Sequence, residues 1–499
     1  MSARNIIIAL AVVVLAIAGV LGYMTMNGTP QRADLRIGLV LEPPILDPTA
    51  GAATAIDDVV YQNVFEGLTR IDEHGAVQPA LATSWEISPD NLIYTFHLAK
   101  NVTFHDGTTF DADDVVYSYN RILAADSVNA QKALYAVIAS VTAVDPQTVK
   151  IVLSAPSGRF LFDAGRGDAS IVAPESEPTN DAKPIGTGPF KFIDWQKGAN
   201  LTLARYDGYW GTKAALGKVT YVFIADGVAR TNALLAGDID GINNTDATSL
   251  PVFAKDARFK VLVGSTEGEV ILAQNNARPP FDKLQVRQAI AHALNREEII
   301  KGASSGYGVP IGSHFAPHNP YYIDLTGTYP YDPAKAKALL AEAGLPDGFS
   351  ATIKVPPVPY AQLGAQIIAS ELAEVGIKLT QVAVDWPQWL GDVFTKGDYD
   401  LTIISHSEPF DIGIYADPNY YFHYNDPDFQ AIISKLNATT DEAARKELAI
   451  AAQKRLAEQA VNGFLFELPK TGVWNAKLEG MWQNEPIEGV VLTGVHWVK

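Results

Sequence analysis

A few stretches of this 499-residue chain crowd together side chains that could do chemistry. His406-Ser407-Glu408 offers a base, a nucleophile and an acid in consecutive positions. Neighbours in a strand point to opposite faces, so these three cannot form a relay with one another. Gly302-Ala303-Ser304-Ser305-Gly306 has the spacing of a nucleophile elbow, which exposes its serine on a strained turn between a strand and a helix. Here the segment follows a helix expected to end at Ile300 and runs into a loop, which is the wrong context. His105-Asp106 with Asp111, Asp113 and Asp114 supplies metal-ligand types, but the spacing suits a tight turn at Asp106-Gly107 and a helix cap at Asp111. Leu468-Pro469-Lys470-Thr471-Gly472 has the look of a cell-wall sorting signal, yet no apolar span follows it. No Gly-x4-Gly-Lys-Ser/Thr pattern occurs, so phosphate-loop nucleotide hydrolysis is not expected of this chain. Cysteine is absent, which excludes thiol nucleophiles, disulfides and thiolate metal sites. No catalytic residue, metal ligand or cofactor is therefore assigned.

The elements that must position any site follow from periodicity. Tyr94, Phe96 and Leu98 alternate with Thr95 and His97, as in a half-buried strand, and Val102 to His105 reads as a second strand before the turn. Asp111 then caps a helix striped by Val115, Tyr119 and Ile122, with Asp114 in its first turn where the dipole favours negative charge. LRIGLVL from Leu35 is a buried-strand candidate ended by Glu42-Pro43-Pro44. Val228 to Ala236 reads as a helix closed by Gly237, and Asp332-Pro333 opens another that Gly344 ends. Leu363, Ile367, Leu372 and Val375 make a stripe leading into the strand IKLTQVAV, and Thr440 to Ala460 is a long helix. Helices alternating with strands imply α/β layers.

Bulk properties narrow the function. The length allows about three compact units at roughly 150 residues each. A formal net charge of −18 argues against nucleic-acid binding, which needs Lys and Arg to replace counterions on phosphates. The one membrane signal is the apolar run from Ile6 to Met24 behind Arg4, long enough to span. Residues 1–26 read either as a signal peptide, with a small-residue site at Ala16-Ile17-Ala18, or as an uncut signal anchor. In both cases Arg4 leaves the remainder outside the cytoplasm.

Eight segments, in order, resemble the family 5 solute-binding proteins, the dipeptide, oligopeptide and nickel receptors of ABC importers. They are IGLVLEPPILDP from Ile37, VFEGLTRIDEHGAVQPALATSWEISPDN from Val64, the FHDG segment at Phe104, PIGTGPFKFIDW from Pro184, LARYDGYWG from Leu203, RPPFDKLQVRQAIAHALNREEII from Arg278, YDPAKAKALLAEAG from Tyr331 and GDYDLTI from Gly397. The resemblance implies a periplasmic-binding-protein-like fold of two lobes (type II, cluster C). Lobe one is expected over 35–60, 180–272 and 470–499, a subdomain inserted in it over 61–179, and lobe two over 273–469. Hinge segments are expected at Asn275-Asn276 and Leu468-Pro469.

The implied function is non-enzymatic capture of a small solute, a peptide or peptide-like compound, for an ABC permease whose ATPase subunits are separate chains. A monomer in the periplasm is expected, with or without a tether to the cytoplasmic membrane. A secreted hydrolase, or a binding protein acting as sensor or chaperone, are the alternatives. In the family an acidic side chain after the DYDL-like strand holds the ligand's amino group. Here that falls in Ser405-His406-Ser407-Glu408-Pro409-Phe410-Asp411, with the register open between Glu408 and Asp411 and Asp411 favoured. His406 and Ser407 lie in the same segment, and Trp386, Trp389, Tyr360 and Glu42 are the further ligand candidates. The family's dipeptide receptors carry an arginine where this chain has Ala361-Gln362-Leu363. That departure leaves longer peptides, opine-like conjugates, oligosaccharides and chelated metals open as ligands.

Overall fold

The computed structural model describes residues 33–51 and 53–498, so the N-terminal apolar segment lies outside the described residues. Among the described residues no helix is long and apolar enough to cross a membrane. One mixed sheet of eleven strands runs through most of the chain. Its axis is a pair of long antiparallel strands, Phe259–Gln274 and Gly463–Asn475. Their register runs from Phe259 opposite Asn475 to Ser265 opposite Pro469, breaks, and resumes at Glu269 opposite Glu467. On one side of the break, the end near Asn475 continues the sheet through Gly241–Ile242 to Asp34–Leu39, Lys218–Phe223, Asn200–Arg205 and Phe190–Gln196. On the other side, Glu269 to Gln274 pair with Leu401–His406, which leads on to Phe349–Val355 and Ile377–Ala383. Two strands thus serve both halves, and each half is a lobe.

The cores divide the same way. Ile37, Val59, Leu203, Tyr221 and Leu492 pack together in the first lobe. In the second, Leu272, Ile290, Ile353, Ile368 and Ile403 form one cluster, and Tyr399, Tyr421, Phe429 and Leu456 another. A separate four-stranded antiparallel sheet, built between Ala82 and Leu153, has its own core around Tyr94, Phe96, Tyr119 and Ile151. Tyr94, Phe96 and Leu98 are buried at every second position of Ile93–Leu98, as the alternation requires. Val102 to His105 is no strand: Thr103 makes a single bridge to Thr109, because the turn at Asp106-Gly107, with Gly107 at φ +93°, returns the chain too soon for a ladder. Asp111 caps the helix Ala112–Leu123 in a full capping box, its side chain accepting from Asp113 N while Asp114 accepts from Asp111 N. Asp111→Ala should cost about 1 kcal/mol, read as a lower midpoint in urea.

The helix Pro359–Glu374 shows where periodicity misleads. Leu363 is 46 % exposed, and the face against the sheet is Ala361, Gly364, Ala365, Ile368 and Leu372. A Cβ at Gly364 would sit 2.7 Å from Ile403 Cδ1, so close approach selects small residues that an apolar count passes over. Glu371 is also buried on this helix, accepting from Asn295 N at 3.1 Å. Burial, and then Glu374, push its carboxyl up to about 7. A raised folded value means stability is full below the unfolded value near 4.5 and is lost as pH rises through about 7. Glu371→Gln keeps the acceptor and removes the charge. It should raise stability at pH 8 by on the order of 2 kcal/mol and leave it unchanged at pH 4, as thermal melts at both would show.

Candidate functional site

A cavity of about 310 Å³ lies beside the break in the long strands. The first lobe supplies Pro48, Thr54 and Asp57, and the loop Arg166-Gly167-Asp168 joins them from the segment after the four-stranded sheet. Thr266 and Glu267 come from the break itself, Ser407, Glu408 and Pro409 from the second lobe, and Glu485 and Glu488 from the C-terminal loop. Asp57 stands on the short helix Thr54–Val60, and Gly167 lets the loop press against its carboxylate, which any Cβ there would strike. Among the described residues, six carboxylates therefore line the cavity, against the single guanidinium of Arg166. Arg166 is itself engaged, 3.2 Å from Asp168 and 3.5 Å across the cleft from Glu408. Glu485 pairs with Lys470 at 3.5 Å, and Glu267 with His318 at 2.7 Å. Burial, with Asp168 and Glu488 nearby, pushes the Asp57 carboxyl well up. Burial and Glu485 push Glu488 up to about 7. This is a wall of acids crowded beyond what its own cations balance.

The lobes also touch away from the cavity. Gly158 N donates to Asn437 O at 2.6 Å, and Thr440 Oγ1 donates to Asn91 Oδ1 at 2.8 Å. Phe162 meets Phe410 edge to face with centroids 4.7 Å apart.

The residues singled out by sequence fall in different places. Glu408 and Ser407 line the cavity. Asp411 is not among the lining residues: its Oδ1 lies 2.5 Å from His314 Nε2, and its Oδ2 lies 3.5 Å from His406 Nδ1. Burial alone would raise the Asp411 carboxyl, but His314 and then His406 outweigh it and hold it well below the usual carboxylate range. His406 itself faces Asp411 on one side and the Tyr421 hydroxyl, at 2.9 Å, on the other. Trp389 is buried, donating from Nε1 to Thr402 Oγ1, whereas Trp386 is 41 % exposed and packs edge to face on it. The Tyr360 hydroxyl accepts from Ser405 N, and Glu42 accepts from Trp195 Nε1 and Gly198 N. None of these four borders the cavity. Asn275 and Asn276 are pinned inside the second lobe, donating from their side chains to the carbonyls of Gly397, Tyr399, Phe422 and Val461. Leu468, in contrast, stands opposite the strand break. Ser304 follows a helix, with no strand before it.

Sequence reasoning passed over His314, His318, Glu267, Glu269 and Glu467. Glu467 sits directly opposite Glu269 in the register, and neither of its carboxylate oxygens accepts a hydrogen bond. Glu267, Glu269 and Glu467 could have been flagged only as unexplained acids in two apolar strands, and the loop histidines carried no such signal.

Two lobes of mixed α/β structure, joined by two strands and enclosing a solute-sized cavity, define the architecture of a binding protein that works by capture between its lobes. Residues 76–429 match the family model described as bacterial extracellular solute-binding proteins, family 5. Heme-binding protein A of Haemophilus influenzae is 30 % identical over 431 residues, covering 77 % of this chain and 78 % of that one. The dipeptide-binding protein of Escherichia coli is 30 % identical over 436 residues, covering 77 % and 79 %. The solved structure of HbpA2 from Haemophilus parasuis superposes with a TM-score of 0.85 at 25 % identity, covering 93 % of this chain and all of that one. The chain belongs to the family 5 extracellular solute-binding proteins, the substrate-binding components of ABC transporters. Members of this family are binding proteins rather than enzymes.

Proposed function

We propose that this receptor captures a small solute bearing positive charge, an amine-carrying peptide or peptide-like compound, and presents it to an ABC permease at the outer face of the cytoplasmic membrane. The observation that carries this reading is the charge of the cavity: six carboxylates against one guanidinium already bound to two of them. A buried carboxylate without a partner is costly, and an entering ammonium offsets that cost. The relatives, a dipeptide-binding protein and a heme-binding protein by name, agree on a small solute and differ on its chemistry. Glu408 is the carboxylate we assign to the ligand's ammonium, since it lines the cavity while Asp411 is occupied by two imidazoles.

Closure is the work done. Ligand that touches both lobes shifts the population toward the closed form, and the permease recognises that form. The hinge we assign is the strand break, Thr266 to Gly268 beside Leu468, between the pairs Ser265–Pro469 and Glu269–Glu467, where the ladder between the two strands is interrupted. ATP hydrolysis belongs to separate subunits, and the receptor acts as a monomer, tethered only where its N-terminal segment is retained.

The test is mass spectrometry of whatever co-purifies with the protein, followed by calorimetry with that compound and its N-acetylated form. Acetylation should weaken binding at least tenfold, about 1.4 kcal/mol. A co-purifying ligand without a cationic group, or equal affinity for both forms, would sink the reading.

A further inference from the structure

Behind the cavity wall, three side chains from distant parts of the chain bring their donor atoms together. Glu269 comes from the long strand just past the break, His314 from the loop after Val309–Pro310, and Asp411 from the segment after Leu401–His406. The donor atoms all lie within 4.8 Å of one another. His314 Nε2 is 2.5 Å from Asp411 Oδ1 and 3.9 Å from Glu269 Oε2. Tetrahedral zinc with bonds of about 2.0–2.1 Å holds its donors about 3.3 Å apart, so shifts of under about 1 Å would seat an ion between them.

What points to a ligand here is the state of Glu269. Its side chain is 3 % exposed, yet Oε2 accepts no hydrogen bond and lies beyond hydrogen-bond reach of His314. Glu467, wholly buried and directly across the strand pair, also accepts nothing. Two carboxylates facing each other across a ladder repel, and a protein keeps such groups dry only with a partner. His314 is already oriented for metal: with an ion on Nε2, its proton sits on Nδ1 and donates to the Tyr415 hydroxyl 3.2 Å away, itself steadied by Asn462 Nδ2 at 3.1 Å.

We propose that Glu269, His314 and Asp411 form a site for a divalent transition-metal ion, held in the second lobe behind the solute cavity. The mix of one imidazole and two carboxylates suits zinc, nickel or cobalt over calcium or magnesium, and three protein donors leave one coordination position open.

The full-length protein, stripped with a chelator and dialysed, is titrated with zinc in a calorimeter and with cobalt(II) by visible absorption. One equivalent should bind, and cobalt should show the intense bands of a four-coordinate site. Glu269→Gln and His314→Gln should each weaken zinc binding at least tenfold and abolish the cobalt bands, with near-ultraviolet circular dichroism confirming the fold. Should one of these fail to fold, Asp411→Asn is read in its place with the same expectation. His318→Gln, which breaks the neighbouring pair with Glu267, should keep full binding. The proposal is overturned if the wild type takes up no stoichiometric metal. It is equally overturned if folded Glu269→Gln and His314→Gln bind as the wild type does, or if His318→Gln alone abolishes uptake.

Discussion

Gly158→Val should hold the two lobes apart and weaken solute binding about a hundredfold, about 2.7 kcal/mol. Gly158 N reaches Asn437 O at 2.6 Å, and a Cβ at this position would collide with both Arg445 Nη1 and the Thr439 carbonyl oxygen. A guanidinium end can swing aside, but the Thr439 carbonyl ends the helix Pro427–Ala438 and belongs to backbone. Relief therefore comes from separation of the lobes. Because Gly158 lies outside the cavity lining, the loss would arise from the closing equilibrium: a variant that closes in one molecule per hundred binds with a hundredfold lower apparent affinity. Small-angle scattering with saturating ligand should then show the extended form persisting in the variant and contracting in the wild type. Identical contraction in both, with affinity unchanged, would show that this contact plays no part in closure. The thermal midpoint should move little, since the collision is relieved by opening and leaves each lobe's core intact.

The second large effect is expected at Glu408. Glu408→Lys replaces an acid in the cavity wall with a cation 3.5 Å from where Arg166 now pairs, so it removes an attraction for a cationic solute and adds a repulsion. Binding of an amine-bearing ligand should fall at least a hundredfold, and Glu408→Gln should fall by about tenfold, the difference being the introduced charge. High salt should narrow the gap between lysine and glutamine variants, because Glu408 is 57 % exposed at its side chain and such charges are screened. Equal losses for Gln and Lys at low salt would mean that Glu408 acts through shape, and unchanged affinity in both would move the ammonium elsewhere.

Local features were legible from residues alone where the cause is local. The capping box of Asp111 and Asp114, the alternation of Tyr94, Phe96 and Leu98, the left-handed Gly237 that ends Gly227–Ala236 and the Asp332 cap all involve partners within a few positions. The helix face at Gly364 was missed because what selects glycine there is the approach of Ile403, a sheet residue. Tyr360 and Glu42, read as ligand contacts, instead brace Ser405 and the Trp195 turn, since a polar tip near a cleft in sequence order can be turned inward by packing.

Membership in a two-lobed family of solute-binding proteins was therefore readable in the order and kinds of residues, because motifs, caps and strand periods are short-range facts. The acid wall of the cleft was not, since Asp57, Asp168, Glu267, Glu408 and Glu488 meet only when the sheet brings together segments hundreds of residues apart. The same holds for Glu269 facing Glu467 and for His314 against Asp411. Strand register and lobe contact decide which charges lie within a few ångströms, and charge at that distance in a dry interior decides what the protein will hold.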